Sequence, residues 1–193
     1  MRYDLPVSME LGGREYRIDA DFRTALEIIA ILNDPELNQR EQISLALLFF
    51  YPEFGQIPQS DYQQAVEECF RFLSGGERPR PGPVLMSWEQ DFPYIIAPVN
   101  RVVGKEIRSE PFFHWWSFLG AYREIGDCLF SQIVRIRSLR AAGKRLDPAQ
   151  EEWYRANRDL VDLKTPITPG EEALLRLWGG PERQEVAHET TSI

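Results

Sequence analysis

The chain has 193 residues, of which 43 % are hydrophobic and 27 % are charged. A chain of this length can bury a hydrophobic core, and this composition is too apolar for a globally disordered protein. The 22 lysines and arginines against 30 aspartates and glutamates give a net charge of −8, which argues against a general nucleic-acid binder because such proteins present basic surfaces.

Two features bear on the compartment in which the protein acts. The longest mainly apolar run, residues 43–51, is far shorter than the roughly 20 residues needed to cross a bilayer. The first ten residues carry Asp4 and Glu10 and lack the continuous apolar stretch of a signal peptide. Together with a low cysteine content, these features predict a protein of the cytoplasm that has no contact with a membrane.

Hydrophobic periodicity predicts a β-hairpin followed by helices only. Residues 5–18 alternate in polarity around Gly12-Gly13, a pattern typical of a hairpin with a two-residue turn. Helical spacing then predicts helices over residues 21–33, 38–51, 61–74, 88–103, 110–125, 127–142, 148–163 and 173–178. The expected fold class is therefore mainly α, a multi-helix bundle of about eight helices with an N-terminal β-hairpin.

Short polar residues that can accept a hydrogen bond from the first helical turn mark most of these helix starts. The expected N-terminal caps are Asn38 with Glu41, Ser60 with Gln63, Ser87, Ser109, Asp127, Asp147 before Pro148, and Thr168 before Pro169. Pro93 and Pro98 lie inside the fourth predicted helix, where each removes one backbone hydrogen bond. We expect a bent or two-piece helix there, or else a helix that begins near Pro93 and is kinked only at Pro98.

Composition divides the chain into four parts. Residues 1–76 are expected to form the hairpin and three helices, and the proline-rich residues 77–83 are expected to form a linker. Residues 84–180 carry the remaining helices. Residues 181–193 lose all periodicity and are expected to be a disordered tail.

No motif in the sequence predicts catalysis. The glycine pairs lack the spacing of a phosphate-binding loop, and no Gly-x-Ser-x-Gly sequence is present to expose a nucleophilic serine. His114 and His188 are the only histidines and lie far apart, which disfavours a metal site. We therefore expect a non-enzymatic protein with no catalytic residues, no cofactor and no metal.

The densest chemical feature is an aromatic run at residues 112–118, which contains His114, Trp115, Trp116 and Phe118. On a helix, the apolar residues of this region cover about two thirds of the circumference, so the helix must be buried on nearly all sides. One interpretation is a central core helix. The other is that part of this surface receives a helix of a partner protein, since aromatic anchors dominate interface energies.

Two charged residues fall on or beside apolar helix faces. Asp91 lies at the edge of the apolar stripe of the fourth predicted helix, and Arg137 projects between apolar positions of the sixth. Because a buried carboxylate and a buried guanidinium each need a counter-charge, we predict that Asp91 and Arg137 form an ion pair that fixes the helix register. The alternative is that each side chain reaches water independently.

These residues belong to a pattern that resembles a known family. The sequence Ser87-Trp88-Glu89-Gln90-Asp91, the run His114-Trp115-Trp116-x-Phe118 and the segment from Ile133 to Arg137 together resemble the bacteriophage family known as gene product fifteen. The His-Trp-Trp-x-Phe run carries most of the weight, and the resemblance covers residues 5–140. The residues carried over as family markers, with a structural or partner-binding role, are Asp91, His114, Trp115, Trp116, Phe118 and Arg137. The two internal prolines, Pro93 and Pro98, depart from the pattern.

The resemblance implies a role in the assembly of the bacteriophage tail, in the cytoplasm of the bacterial host. It implies a chaperone whose partners are the tape measure protein and other tail proteins, without nucleic acid or membrane among its ligands. The alternative is a permanent structural component of the tail or tail tip. A helical transcriptional regulator is disfavoured, since acidic residues flank the only basic run, residues 135–145.

Overall fold

The computed structural model describes residues 4–77 and 82–164 of the chain. Within these ranges the chain forms two strands and eight α-helices: β1 (Ser8–Leu11), β2 (Arg14–Arg17), α1 (Phe22–Leu32), α2 (Gln39–Phe50), α3 (Tyr62–Leu73), α4 (Trp88–Val103), α5 (Trp115–Arg123), α6 (Leu129–Ala141), α7 (Pro148–Ala156) and α8 (Arg158–Val161). The predicted fold class is confirmed. The core of the predicted linker, residues 78–81, lies outside the described residues, as do the predicted helix 173–178 and the predicted tail 181–193.

The N-terminal hairpin forms as its pattern predicts. β1 and β2 pair antiparallel with Leu11 opposite Arg14, across a two-residue turn in which both glycines have positive φ. Positive φ at both central residues is the turn geometry that matches the twist of the two strands. The side chain of Gln64 on α3 donates to the Glu10 carbonyl and accepts from the Gly12 N–H, so the hairpin is fixed to the third helix.

Substitution of Gly12 by alanine is expected to lower the free energy of unfolding by about 1–2 kcal/mol, because alanine is strained at the positive φ of this position. An added Cβ would also clash with the Asp61 carboxylate, which raises the cost further. Gly13 is the matched control, because its φ is also positive and an added Cβ there has nothing within 4 Å. Urea unfolding of Gly12→Ala and Gly13→Ala should show the larger loss for Gly12, and equal losses would contradict the clash.

One hydrophobic core connects the hairpin with the first six helices. It includes Leu11, Phe22, Phe50 and Phe72 from the N-terminal part and Trp115 from the C-terminal part. Both sides of the predicted linker therefore contribute to the same core. α1 packs against α2, α4 and α5, which places the start of α5 at the centre of the molecule.

A second, smaller cluster covers the outer side of α6. It consists of Ile136 on α6, Tyr154 on α7 and Val161 on α8, with Leu146 and Trp153 packed against them. The last described helices are therefore held on α6 by few apolar contacts, and polar contacts at the α8 end matter correspondingly more. Among the described helices, none combines the length and the apolarity needed to cross a bilayer.

Three of the predicted helix caps are confirmed. Asn38 with Glu41 forms a reciprocal capping box at α2, and Asp147 with Gln150 forms another at α7. The Ser87 side chain accepts from the N–H of residue 90 at the start of α4. These caps depend on residues close in sequence, which is why local pattern suffices to identify them.

The predicted caps Ser60 and Asp127 are wrong. Ser60 lies in a short 3-10 turn at Gln59–Asp61, and its hydroxyl donates to the Asp61 carboxylate, so α3 begins only at Tyr62. Asp127 precedes the helix by two residues, because the cap of α6 is Cys128, whose N–H donates to the Ser131 hydroxyl. At α3 the Tyr62 N–H donates to the Gln59 carbonyl of the 3-10 turn, and at α6 the contact between Cys128 and Ser131 replaces the predicted cap.

The predicted helix 110–125 begins later than its periodicity indicates. Its N-terminal cap is His114, not Ser109, and Ser109 ends a 3-10 turn at Ile107–Ser109. Glu110 is extended because the residue before a proline avoids the helical region, and Pro111 follows it. The predicted helix 148–163 is also divided, at Asn157, into α7 and α8.

The two internal prolines do not divide α4. The helix continues from Trp88 to Val103 through Pro93 and Pro98, so the two-piece prediction and a start near Pro93 are both wrong. Each proline costs about 3 kcal/mol through the lost hydrogen bond and the ring contact. Burial of Ile95, Ile96 and Val99 between and beside them offsets this cost.

Candidate functional site

The N-termini of α1 and α5 meet beside each other at the centre of the fold. Asp21 caps α1 and His114 caps α5, and the two residues form an isolated antiparallel bridge. The Phe22 N–H donates to the Phe113 carbonyl at 2.9 Å, and the Trp115 N–H donates to the Ala20 carbonyl at 2.8 Å. This pairing holds residue 114 extended and is the reason why α5 starts at Trp115.

His114 links this junction to the N-terminal segment of the chain. Its Nδ1 accepts the Trp116 backbone N–H at 3.0 Å, so the ring proton belongs on Nε2, which lies 2.9 Å from the Pro6 carbonyl and donates to it. Burial lowers the pKa of His114, an effect opposed by its bond to Pro6. The imidazole is therefore neutral in the folded protein, because Nδ1 accepts the cap hydrogen bond only without a proton.

Stability is expected to fall as the pH drops below about 7, because the pKa of His114 is lower in the folded protein than in the unfolded chain. The unfolded chain binds the proton near the ordinary value of 6.5, above the pKa in the folded state, so each step of acidification through this value favours unfolding. His114→Asn keeps a cap acceptor and removes the titration. Urea unfolding between pH 7.5 and 5.5 should show a smaller pH slope for the variant, and an equal slope would contradict this role.

The two tryptophans of α5 bind the C-terminal end of α3. The Trp115 indole N–H donates to the Leu73 carbonyl and the Trp116 indole N–H donates to the Phe72 carbonyl, both at 2.9 Å. The last carbonyls of a helix have no partner inside the helix, and these side chains supply one. Sequence periodicity placed both rings in or near the core but could not reveal that their N–H groups cap another helix.

The aromatic rings of α5 form the centre of the core. Trp115 stacks on Phe118 with ring centroids 5.4 Å apart, and Phe118 stacks on Phe22 at 5.2 Å. Trp88 meets Trp115 edge to face at 5.6 Å. The core interpretation is therefore correct for Trp115 and Phe118, which are buried, whereas Trp116 is only half-buried.

Asp91 and Arg137 form the predicted ion pair. The Arg137 Nη1 donates to Asp91 Oδ2 at 2.6 Å and the Nη2 donates to Oδ1 at 3.0 Å, in a bidentate arrangement. Both side chains are buried, with 0 % of the Asp91 side chain and 5 % of the Arg137 side chain exposed. The alternative, in which each reaches water independently, is excluded.

The guanidinium of Arg137 also joins segments that are distant in sequence. Its remaining N–H groups donate to the carbonyls of Leu85, Leu160 and Val161. All five donors of the guanidinium are thereby used. The guanidinium thus attaches α8 and the segment before α4 to α6, whereas the role of the pair in fixing the helix register stays a prediction.

Arg23 is a structural residue that the sequence analysis did not identify. Its Nη1 donates to both carboxylate oxygens of Asp21, and its Nη2 lies within hydrogen-bonding distance of the carbonyls of Ile107, Arg108 and Glu110. The guanidinium therefore holds the loop before α5 against the start of α1. Its position two residues after a helix cap gave no indication of partners more than 80 residues away in the chain.

A groove lies on the surface beside this junction. The hairpin groove, as we call it, has a volume of about 820 Å³ and is lined by Val7, Ser8, Glu15, Arg17, Ile18, Asp19, Ala20, Pro52, Glu53 and Phe112. A second cavity of about 520 Å³ shares Val7, Ser8 and Glu15 with it and reaches Leu5 and Trp116. Of the predicted site residues, Trp116 therefore contributes to an accessible surface.

The large apolar side chains at these cavities are exposed to solvent. Phe112 is 51 % exposed, Val7 57 % and Leu5 45 %. His114 fixes this strip, because its bond to the Pro6 carbonyl holds the residue between Leu5 and Val7. Fixed and exposed apolar side chains next to a concave surface are typical of a protein-binding site.

Comparison with known protein families gives a match. A family model described as Bacteriophage Gp15 protein matches residues 1–163. No curated protein and no solved structure matches the chain. The matched region includes all described residues except Lys164.

Proposed function

Since the chain belongs to the bacteriophage Gp15 family, we propose that it is a non-enzymatic tail assembly protein that acts as a chaperone of the tape measure protein. The family match over residues 1–163 carries the proposal as far as a bacteriophage protein. The tail role is what the resemblance at the His-Trp-Trp-x-Phe run implies. The accessible surface beside the junction of α1 and α5 supports the part of the proposal that concerns a protein partner.

The physical task of such a chaperone is to cover apolar surface for a limited time. A long helical tape measure protein exposes apolar stripes until tail tube subunits surround it, and a chaperone that covers them prevents aggregation. The contact must be reversible, which suits a small groove better than an extensive interface. The net charge of −8 favours solubility of the complex and disfavours binding to DNA in the host cytoplasm, where we place the protein.

Co-expression with the tape measure protein from the same tail-gene cluster tests the proposal. We expect a tagged chain to capture the tape measure protein in a pull-down, and we expect mass spectrometry of purified virions to lack the chain. Detection of the chain in virions would instead identify a permanent component of the tail or tail tip. Failure to capture any tail protein would contradict a role in tail assembly.

A further inference from the structure

We propose that the hairpin groove binds a segment of a tail protein in which a large apolar side chain is flanked by lysine or arginine. The apolar part of this segment contacts Val7 and Phe112, and its cationic side chains contact the carboxylates at the rim. The assignment of the segment to the tape measure protein rests on the proposed function, whereas the chemistry of the segment rests on the groove itself.

The apolar wall of the groove is prepared for an anchor side chain. Val7 and Phe112 are each more than half exposed, and Ile18 and Ala20, which also line the groove, are buried. The Phe112 ring is held edge to face against His114, with ring centroids 6.3 Å apart. The Val7 carbonyl accepts the Ile18 N–H, which extends the hairpin pairing to the edge of the groove. Val7 and Phe112 are therefore held in place before a partner binds, which limits the entropic cost of binding.

The rim of the groove carries an excess of negative charge. Glu15, Asp19 and Glu53 supply three carboxylates, and Arg17 supplies the only cation among the lining residues. None of these four residues forms an ion pair with another residue in the part of the chain that the structure describes. Glu15 accepts from the Ser8 hydroxyl, and Asp19 accepts from a backbone N–H. The carboxylates are thus available to a cationic ligand.

Charge decides between the possible occupants. The C-terminal residues 165–193 contain five glutamates and two arginines, so this segment would be repelled by the rim. A second copy of the chain carries a net charge of −8, which also disfavours self-association through an acidic surface. A segment of another protein with lysine or arginine beside an apolar anchor complements both the wall and the rim.

The experiment uses overlapping synthetic peptides of about 20 residues from all proteins of the tail-gene cluster. Binding of each peptide to the full chain is measured by fluorescence polarisation. Phe112→Ser is expected to weaken binding of the positive peptides roughly 10-fold or more, since anchor contacts at interface centres carry most of the energy. The double variant Glu15→Gln with Glu53→Gln is expected to weaken binding several-fold at low salt and less at high salt. The matched controls are Leu129→Ser and Glu152→Gln. Leu129 is 44 % exposed, Glu152 is exposed on α7, and neither residue lines the groove.

The outcomes separate the groove from the proposed function. Loss of binding in the groove variants with retention in the controls supports the groove proposal. If the bound peptides then come from a tail protein other than the tape measure protein, only the chaperone assignment is overturned. Absence of any bound peptide, or equal binding by Phe112→Ser, overturns the groove proposal while leaving the pull-down result intact. A dimer that becomes monomeric in Phe112→Ser would identify a second copy as the occupant and also overturn it. Circular dichroism and thermal unfolding establish that each variant is folded.

Discussion

Arg137→Met is expected to lower the free energy of unfolding by about 3–5 kcal/mol, the largest effect we expect from a charged residue of this protein. The substitution leaves the Asp91 carboxylate buried with a backbone N–H, that of Ser87, as its remaining partner. It also leaves the carbonyls of Leu85, Leu160 and Val161 without their donor. Urea unfolding monitored by circular dichroism measures the loss, and a loss below about 1 kcal/mol would contradict the role of the pair.

A double-mutant cycle measures how much of this loss is due to the buried Asp91 carboxylate that Arg137→Met leaves without its counter-charge. In Asp91→Leu with Arg137→Met no buried charge remains, so the double variant is expected to lose less than the sum of the single variants by about 1–3 kcal/mol. Full recovery is not expected, because the three carbonyls still lack donors. The exposed pair Arg155–Glu151 is the control, and Arg155→Ala should change stability by at most about 0.5 kcal/mol.

Trp115→Ala is expected to cost about 3–5 kcal/mol, because it removes the largest side chain at the centre of the core. The cavity would open between Trp88 and Phe118, which both lie against the indole ring. The buried Leu73 carbonyl would lose its hydrogen bond as well. Since such a loss is a large share of the stability of a small protein, the variant is measured in the presence of a stabilising osmolyte, with the wild type under identical conditions.

Trp115→Phe and Trp116→Phe separate packing from capping. Each removes one indole N–H that binds a carbonyl at the end of α3. The Trp115 hydrogen bond is buried, so its carbonyl stays unpaired, at a cost of about 1–3 kcal/mol beyond packing. The Trp116 bond is part-buried, so water can replace it and a loss below about 1 kcal/mol is expected. Equal losses would show that burial of the bond does not decide its contribution.

The predicted site residues fall into a structural group and a surface group. Asp91 and Arg137 attach distant segments, whereas Trp115 and Phe118 fill the core. His114 and Trp116 do both, because each contributes to the fold and also borders or positions the accessible strip at the N-terminal segment. The fold therefore presents the candidate binding surface through residues that the aromatic run already marked.

The elements that were predicted correctly depend on residues close in sequence. The hairpin follows from two glycines between alternating strands, the capping box at Asn38 follows from Glu41 three residues on, and the cap at Asp147 follows from the proline after it. The predicted start of α5 was wrong, because backbone hydrogen bonds to Ala20 and Phe22, more than 90 residues away in the chain, hold the residues before the helix extended. The bounds of α4 were predicted correctly, whereas its division was wrong, because burial of its apolar side chains outweighs the two prolines.

By itself, the sequence determined the fold class, the main helices, the family resemblance and the pairing of Asp91 with Arg137. The pairing could be predicted because two opposite charges on apolar faces must neutralise each other wherever the chain brings those faces together. Only the tertiary structure decided which distant residues Arg23, His114 and Trp116 contact, since those distant partners are backbone carbonyls, which every residue carries and no sequence pattern distinguishes. The hairpin groove likewise exists only after β2, the turn after α2 and the loop before α5 have come together.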